Sequence, residues 1–463
     1  MSPYRWIKRA ILVGGIVFFA IALISPPVLG LTSVAQRSIG LFFLTVSFWI
    51  TGDPLPPAVT GLMVLALVPL LGILPATETF ALFGNRAVFF ILGAFILAAG
   101  LMKSGLARRV SLYLLHTFQG SAYRLLMGIF LTANLLAYLM PAHAAAALLF
   151  PVILRIAHDL RLPKAYRGYE ALLFLAMAWG AGIGGIATPL GGARAPLAIG
   201  MLQEEFGVSI QFFQWTLMAW PLSAFLTLFG LAYLYFLTRR FADRVSLQAI
   251  REDLAIDRSP WKPIEKKMAG VFALALVAWI FLNHRIDMAV VAVVAAVLLF
   301  ILRVLTWRDV ENYVNWGVIL MYGGAIVLGK TLVASGGAAW LANHVIAPLT
   351  QTPWQTFATF AAFALILTEA MSNVATVAFL LPILYGIVGT VGLSPFLATL
   401  TVTLPAGLAF MLPVGSPPNA IAFSAGRYSV AWSVKRGLPL TLIAFLGLFL
   451  LARFVWPVLG VHF

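Results

Sequence analysis

Apolar residues along this chain neither alternate nor recur in narrow stripes; they run on in blocks, each close to the length that crosses a bilayer. A helical span needs about 20 predominantly apolar residues. Candidates stand at 10–31, 37–52, 55–74, 86–103, 170–200, 214–238, 268–283, 287–303, 315–334, 392–425 and 437–460. Two other stretches, 121–155 and 354–390, are long enough to enter the membrane and turn back, with Met140-Pro141-Ala142-His143 and Met371-Ser372-Asn373 at their middles. They read as re-entrant hairpins. Backbone groups in hydrocarbon must be bonded within their own segment or in a closed barrel, and continuous apolarity selects helices. The predicted class is an all-α polytopic membrane protein of about 11 transmembrane helices plus two re-entrant hairpins.

Composition supports that picture. Of 463 residues, 62% are hydrophobic and 10% charged, so the solvent is mostly lipid. The absence of cysteine excludes disulfides, thiol nucleophiles and thiolate metal sites. A net charge of +15 raises the possibility of nucleic acid, but the basic residues sit in short loops beside apolar runs, which is the positive-inside pattern and not a binding stripe. With the N-terminus inside, the cytoplasmic segments collect Arg5, Lys8, Arg9, Lys103, Arg108, Arg109, Arg124, Arg155, Arg161, Lys164, Arg167, the 239–267 cluster, Arg303, Arg308, Arg427, Lys435 and Arg436. The outside loops hold Arg37 and Arg285. Making either hairpin a single crossing inverts everything after it and breaks this bias. The first apolar run follows three basic residues as a signal peptide would, yet it spans and more spans follow, so it is read as a retained helix. The expected location is a bacterial inner membrane.

The chain also repeats itself. Gly93 pairs with Gly324, Gly105 with Gly336 and Pro151 with Pro382 at one constant offset of 231 residues, and Gly191 pairs with Gly415 at 224. The expected units are an N-terminal helix (1–34), a first repeat (35–240), a basic linker (241–267) and a second repeat (268–463). Five crossings per half make the second copy enter from the opposite side. Such inverted repeats place a site near the midplane, where broken helices and hairpin tips meet.

Two segments concentrate polarity there. Thr368-Glu369-Ala370-Met371-Ser372-Asn373-Val374-Ala375-Thr376 puts hydroxyl and amide groups at a hairpin turn, where unpaired they are costly in lipid and so should face a ligand, an ion or water. Met411-Leu412-Pro413-Val414-Gly415-Ser416-Pro417-Pro418-Asn419-Ala420 breaks a span; its freed carbonyls can coordinate a cation while half-helix amides face an anion. A kinked helix with serine and asparagine as interhelical glue is the plainer reading of each. Catalysis is not indicated: Glu369 is the only acid within the hairpin cores, the six histidines are scattered and no His-Glu-x-x-His occurs. An anion channel would also suit opposed hairpins.

From Leu55 to Gly426 the sequence resembles the divalent anion:sodium symporter family, which carries dicarboxylates, citrate or sulfate. The resemblance rests on Phe83-Gly84-Asn85 with the Gly93 helix, Ser104-Gly105-Leu106-Ala107-Arg108-Arg109, Ser372-Asn373 and above all Met411 to Ala420. It implies an elevator-type homodimer in which a transport domain carrying both hairpins moves against a scaffold. It further implies substrate binding at Ser372 and Asn373, with Thr376, Ser416 and Pro417 nearby. A sodium site is implied at Thr368, the Met371 carbonyl, Asn373 and the Gly415 carbonyl.

The first half departs from that pattern. Where the family carries Ser-Asn-Thr, this chain reads Pro141-Ala142-His143 followed by alanine to Ala147, so the first sodium site has lost its side chains. Where the family carries Gly-Thr-Pro-Pro-Asn, it reads Gly191-Gly192-Ala193-Arg194-Ala195-Pro196. A guanidinium keeps its proton and is expensive at midplane unless paired. Arg194 is therefore expected to act as a fixed counter-charge for the substrate anion, or to pair with a backbone carbonyl. His143 is expected to donate to substrate, to titrate, or to sit neutral on a backbone group. The expected function is secondary transport of a small carboxylate, dicarboxylate, sulfonate or sulfate with at most one sodium site; proton coupling or anion exchange without sodium is the alternative. Lys330 is open between a dimer interface, a lipid boundary and the site, while Trp6, Trp261, Trp307 and Trp456 read as interfacial anchors.

Overall fold

The computed structural model describes residues 3–27, 30–118, 120–160, 166–241, 259–282, 285–346 and 352–461. Residues 242–258 of the expected basic linker, with Arg161 and Lys164, lie outside them. The described residues form helices and connecting turns, without strands. Eight helices among them are long and apolar enough to cross a membrane, and four shorter apolar helices accompany them.

Helix ends follow local chemistry more closely than the apolar runs suggest. The first helix is Pro3–Ile24, earlier at both ends than the expected 10–31, because Pro26 and Pro27 cannot continue it. It packs on Ser33–Thr51, which Thr32 caps at the Ala35 N–H and which ends on Gly52 in the left-handed region. Pro57–Leu70 then crosses Trp316–Ala334 so closely that a Cβ on Gly324 would lie 2.4 Å from the Gly61 Cα. Small residues permit this approach, as between membrane helices generally. Short helices at Ala76–Phe83, Leu106–Thr117 and Trp307–Tyr313 lie outside the expected spans, each too short to cross by itself.

The hairpins take the expected form of two arms around a two-residue turn. The first is Ala122–Leu139 and Ala142–Asp159, the second Pro353–Ala370 and Asn373–Tyr385. Each expected long span that contains a cluster of glycine or proline is broken. The first runs Arg167–Gly184, a tight turn Pro189–Gly191, then Arg194–Phe206. The second runs Pro395–Thr403, a turn Pro405–Gly407, then Pro417–Ser424.

Backbone angles repeat at the sequence offset of 231. Gly105 (φ 83°, ψ −3°) matches Gly336 (φ 81°, ψ −1°), and both start short helices. Ser121 caps Arg124 as Thr352 caps Gln355. At the tips, Met140 (−149°, 164°) matches Met371 (−137°, 167°), and Pro141 (−54°, 136°) matches Ser372 (−63°, 148°).

Charged groups sit at helix ends in pairs: Arg109 with Glu265 at 2.9 Å, Arg427 with Glu170 at 3.2 Å and Arg86 with Asp287 at 2.7 Å. Arg86 therefore joins Arg285 on the sparse side, but with an acid beside it. Lys330 does not line the central cavity; its Nζ lies 3.4 Å from Glu205 and donates to the Glu204 carbonyl at 3.2 Å. Trp6, Trp261 and Trp307 are exposed as anchors should be. Trp456 corrects the expectation: it is fully buried because its indole N–H donates to the Met218 carbonyl at 3.2 Å.

Candidate functional site

The site is assembled from four interruptions of helix. The two hairpin tips and the two breaks converge on a single cavity of about 560 Å³. Ala142 and His143 reach it from the first tip, Ser372 and Asn373 from the second, Gly191 to Arg194 from the first break and Gly407 with Ser416 and Pro417 from the second.

At the second tip, polar groups are either committed to the backbone or aimed inward. Met371 ends the first arm, its N–H bonding the Leu367 carbonyl at 2.9 Å. Ser372 Oγ accepts from the Ala375 N–H at 3.2 Å, which leaves its hydroxyl hydrogen free to point into the cavity. Thr368 Oγ1 donates to the Ala406 carbonyl at 2.6 Å. Turned so that its nitrogen donates, the Asn373 amide meets the Gly415 carbonyl at 2.9 Å, Thr368 Oγ1 at 2.9 Å and the Ala406 carbonyl at 3.2 Å. Three oxygens thus surround one amide. With the amide oxygen turned inward, the same four groups could hold a hard cation, which takes neutral oxygen ligands. Ala406 was not among the expected ligands, although the 224 offset pairs it with Gly182, a cavity residue. No cluster of three or more histidine, cysteine or acidic residues exists among the described residues.

Glu369 bonds across to the second break. Its Oε1 accepts from the Phe410 and Met411 N–H groups at 2.7 and 3.0 Å, and its Oε2 from Met411 and Leu412 at 3.1 and 2.7 Å. The helix break frees those three donors, and a buried carboxylate collects them. The hairpin tip is thereby bonded to the break that carries Gly415.

Arg194 is 4% exposed and begins the second piece of the first broken helix. Its Nη2 donates to the Gly185 carbonyl at 2.7 Å, and its Nε has no protein partner. Asn419 does the corresponding work in the other half: its Nδ2 donates to the Ala409 carbonyl at 2.9 Å, and Gly185 and Ala409 stand 224 residues apart. A guanidinium thus braces one break where an amide braces the other. It fits only because glycines flank it: a Cβ on Gly192 would fall 2.3 Å from Nη1, and one on Gly407 would fall 2.3 Å from Nε.

The remaining expected residues divide. His143 lies in the cavity wall with its ring edge-on to Phe95, centroids 6.0 Å apart. Ser416 lines the cavity and caps the helix after it; Pro417 is exposed to the cavity. Thr376 does not reach it, being fully buried with its hydroxyl donated to the Ser372 carbonyl at 3.2 Å. Pro56, Phe95, Asn315 and Met321 complete walls that no sequence motif marked, since their position depends on which helices pack there.

Residues 4–462 match the family model described as "Sodium:sulfate symporter transmembrane region". The sodium-dependent dicarboxylate transporter SdcS of Staphylococcus saprophyticus is 30% identical over 456 residues, covering 91% of this chain and 87% of that one. SdcS of Staphylococcus aureus strain USA300 is 29% identical over 458 residues with the same coverage. Two solved structures share the fold. Neisseria gonorrhoeae MtrF, titled among antimetabolite efflux pumps, superposes with a TM-score of 0.53 at 14% identity, covering 96% of each chain. The Alcanivorax borkumensis YdaH transporter superposes with a TM-score of 0.51 at 17% identity, covering 99% of this chain and 98% of its own. With the family model matched over nearly its full length, this chain is a polytopic membrane transporter, not an enzyme, and belongs to the sodium:sulfate symporter family.

Proposed function

We propose that the chain is a secondary active transporter of a small organic or inorganic anion, coupled to sodium at one site and working by an elevator motion. The observation that carries this reading is the convergence of both tips and both breaks on one cavity with Arg194 in its wall. Ser372, Asn373 and Arg194 bind the anion, with Ser416 and Pro417 shaping the pocket and His143 against its apolar side. Sodium sits among Thr368 Oγ1, the Asn373 amide oxygen, and the Gly415 and Ala406 carbonyls, with the Met371 carbonyl as the further ligand that the family resemblance implies. The curated relatives named as sodium-dependent support that coupling.

Arg194 supplies the positive charge that a second sodium would bring. The positions matching Thr368 and Asn373 at the 231 offset are Ala137 and Ala142, which offer no side-chain oxygen. Oriented guanidinium donors favour a carboxylate, sulfonate or sulfate, and Arg194 lines the cavity where one would sit. The matching backbone angles at offset 231 support two repeats, inverted across the membrane, with a scaffold forming a homodimer. On this reading each 18-residue arm of the first hairpin, though long enough to cross, enters and returns. The N-terminus is cytoplasmic in a bacterial plasma membrane.

Uptake into proteoliposomes under separate sodium, proton and counter-anion gradients tests the coupling. Accumulation driven by inward sodium is expected. Accumulation driven by protons or by counter-anion, and indifferent to sodium, would replace this reading with the proton-coupled or exchange alternative, which the loss of the first cation site favours.

A further inference from the structure

The transport reading leaves the anion's chemistry open, and the asymmetry of the cavity narrows it. Resting on that reading, we infer that the substrate is a single-headed amphiphilic anion: one carboxylate or sulfonate on an apolar body, and not a short dicarboxylate.

The two tips present the same backbone and opposite chemistry. Pro141 and Ser372 share φ and ψ within about twelve degrees, so the first tip is shaped to hold a second anionic group. It has nothing to hold one with. Pro141 has neither hydroxyl nor N–H, and Ala142 offers a methyl group where Asn373 offers an amide. The donors gather at one end instead. Arg194 lies against Gly407, and Asn373 lies against the carbonyl of Ala406, the residue before it. Ser372, Asn373 and the Arg194 guanidinium therefore serve one head group.

The rest of the lining is largely apolar. Phe95, Ala142, Ala147, Val318, Met321 and Ile421 line it, and no acidic or lysine side chain reaches the cavity. Asn315, whose Oδ1 accepts from the Val318 N–H, adds a neutral amide and no charge. His143, turned edge-on to Phe95, is the remaining polar group there. A second carboxylate would leave water to lie on methyl groups, which is costly, whereas an alkyl chain gains by the same move. A volume of about 560 Å³ admits such a chain.

The test is thermal shift of the full-length protein in detergent with sodium chloride present, using hexanoate, hexanesulfonate, succinate, adipate and inorganic sulfate at equal concentration. Hexanoate and hexanesulfonate are expected to stabilise at concentrations at least ~100-fold below either diacid, the scale on which a site rejects a mismatched polar group. The double variant Pro141→Ser, Ala142→Asn adds donors at the first tip and should tighten adipate or succinate by ~10-fold or more while weakening hexanesulfonate. A diacid or sulfate binding as well as the monoanions would overturn the inference and leave anion transport standing. No response to any of the five, with the protein folded, would remove both.

Discussion

The two broken helices make an instructive pair. Both interrupt a membrane span, both meet a hairpin tip at the same cavity, and in both a side chain donates to the same carbonyl of the break, Gly185 in the first half and Ala409 in the second. The donor differs. An uncharged amide in the second half leaves room for neutral oxygens to gather around Asn373; a guanidinium in the first half coincides with a tip stripped to proline and alanine. The hydrogen bond is common to both halves and the charge attached to it differs. On the proposed reading, one half is suited to a mobile cation and the other carries a permanent one.

Breaking that contrast at Arg194 should have the largest effect. Arg194→Ala is expected to weaken anion binding by ~100-fold or more, from a charge-assisted bond of about 1.5–3 kcal/mol plus lost charge attraction. Titration calorimetry with and without sodium measures it. Arg194→Gln keeps a donor for Gly185 and separates bracing from charge: it should fold like the parent yet bind anion as poorly as the alanine variant. Equal anion affinity in all three proteins would reduce Arg194 to a brace. Gly407→Ala tests the same group without touching it. Its new methyl must displace the guanidinium, since the contact would be 2.3 Å, and a ~10- to 100-fold loss of anion affinity is expected.

On the second half, Asn373→Ala and Thr368→Ala should raise the sodium concentration for half-maximal uptake by ~10-fold or more, about 1.4 kcal/mol of lost ligation. Sodium dependence unchanged in both variants would discard the cation site. Glu369→Gln keeps one acceptor oxygen for three N–H groups and is expected to lower the melting temperature by several degrees, on the order of 1–3 kcal/mol. Restoration of stability by sodium in that variant would link the latch to the cation site.

The smallest effect lies outside the membrane, at the Trp307–Tyr313 helix. Asp309 bonds Lys103 at 2.8 Å and the Thr306 N–H at 2.9 Å, and these bonds hold its carboxyl down to about 2, against an ordinary 3.8. A depressed carboxyl contributes its stability above the ordinary value and loses it as pH falls toward the depressed one. The parent should lose that increment between about pH 4 and 2, and Asp309→Asn should show a flatter melting profile across the window.

Spans, hairpins and breaks were legible in the sequence because membrane insertion writes them in simple terms: continuous apolarity for a crossing, proline and glycine for a break, polar residues where lipid is excluded. The glycine match at offset 231 was legible for a similar reason: Gly105 and Gly336 both hold a left-handed backbone angle, which favours glycine. Boundaries were less legible: the first helix ends at Ile24 on account of two prolines, although apolar residues continue to Leu31. The sequence determined that Ser372, Asn373 and Arg194 are polar groups placed in lipid-depth segments, which already demanded partners.

Which partners they found was decided by tertiary structure alone. Glu369 bonds a segment some forty residues away, Lys330 lies beside Glu205 over a hundred residues away, and Trp456 is buried against Met218. None of these carries a local signal, because a hydrogen bond depends on where two helices come to lie and not on the spacing of residues within either. The apolar part of the cavity lining has the same origin. Phe95, Val318 and Ile421 look like any other residues of a membrane helix until packing turns them toward one cavity.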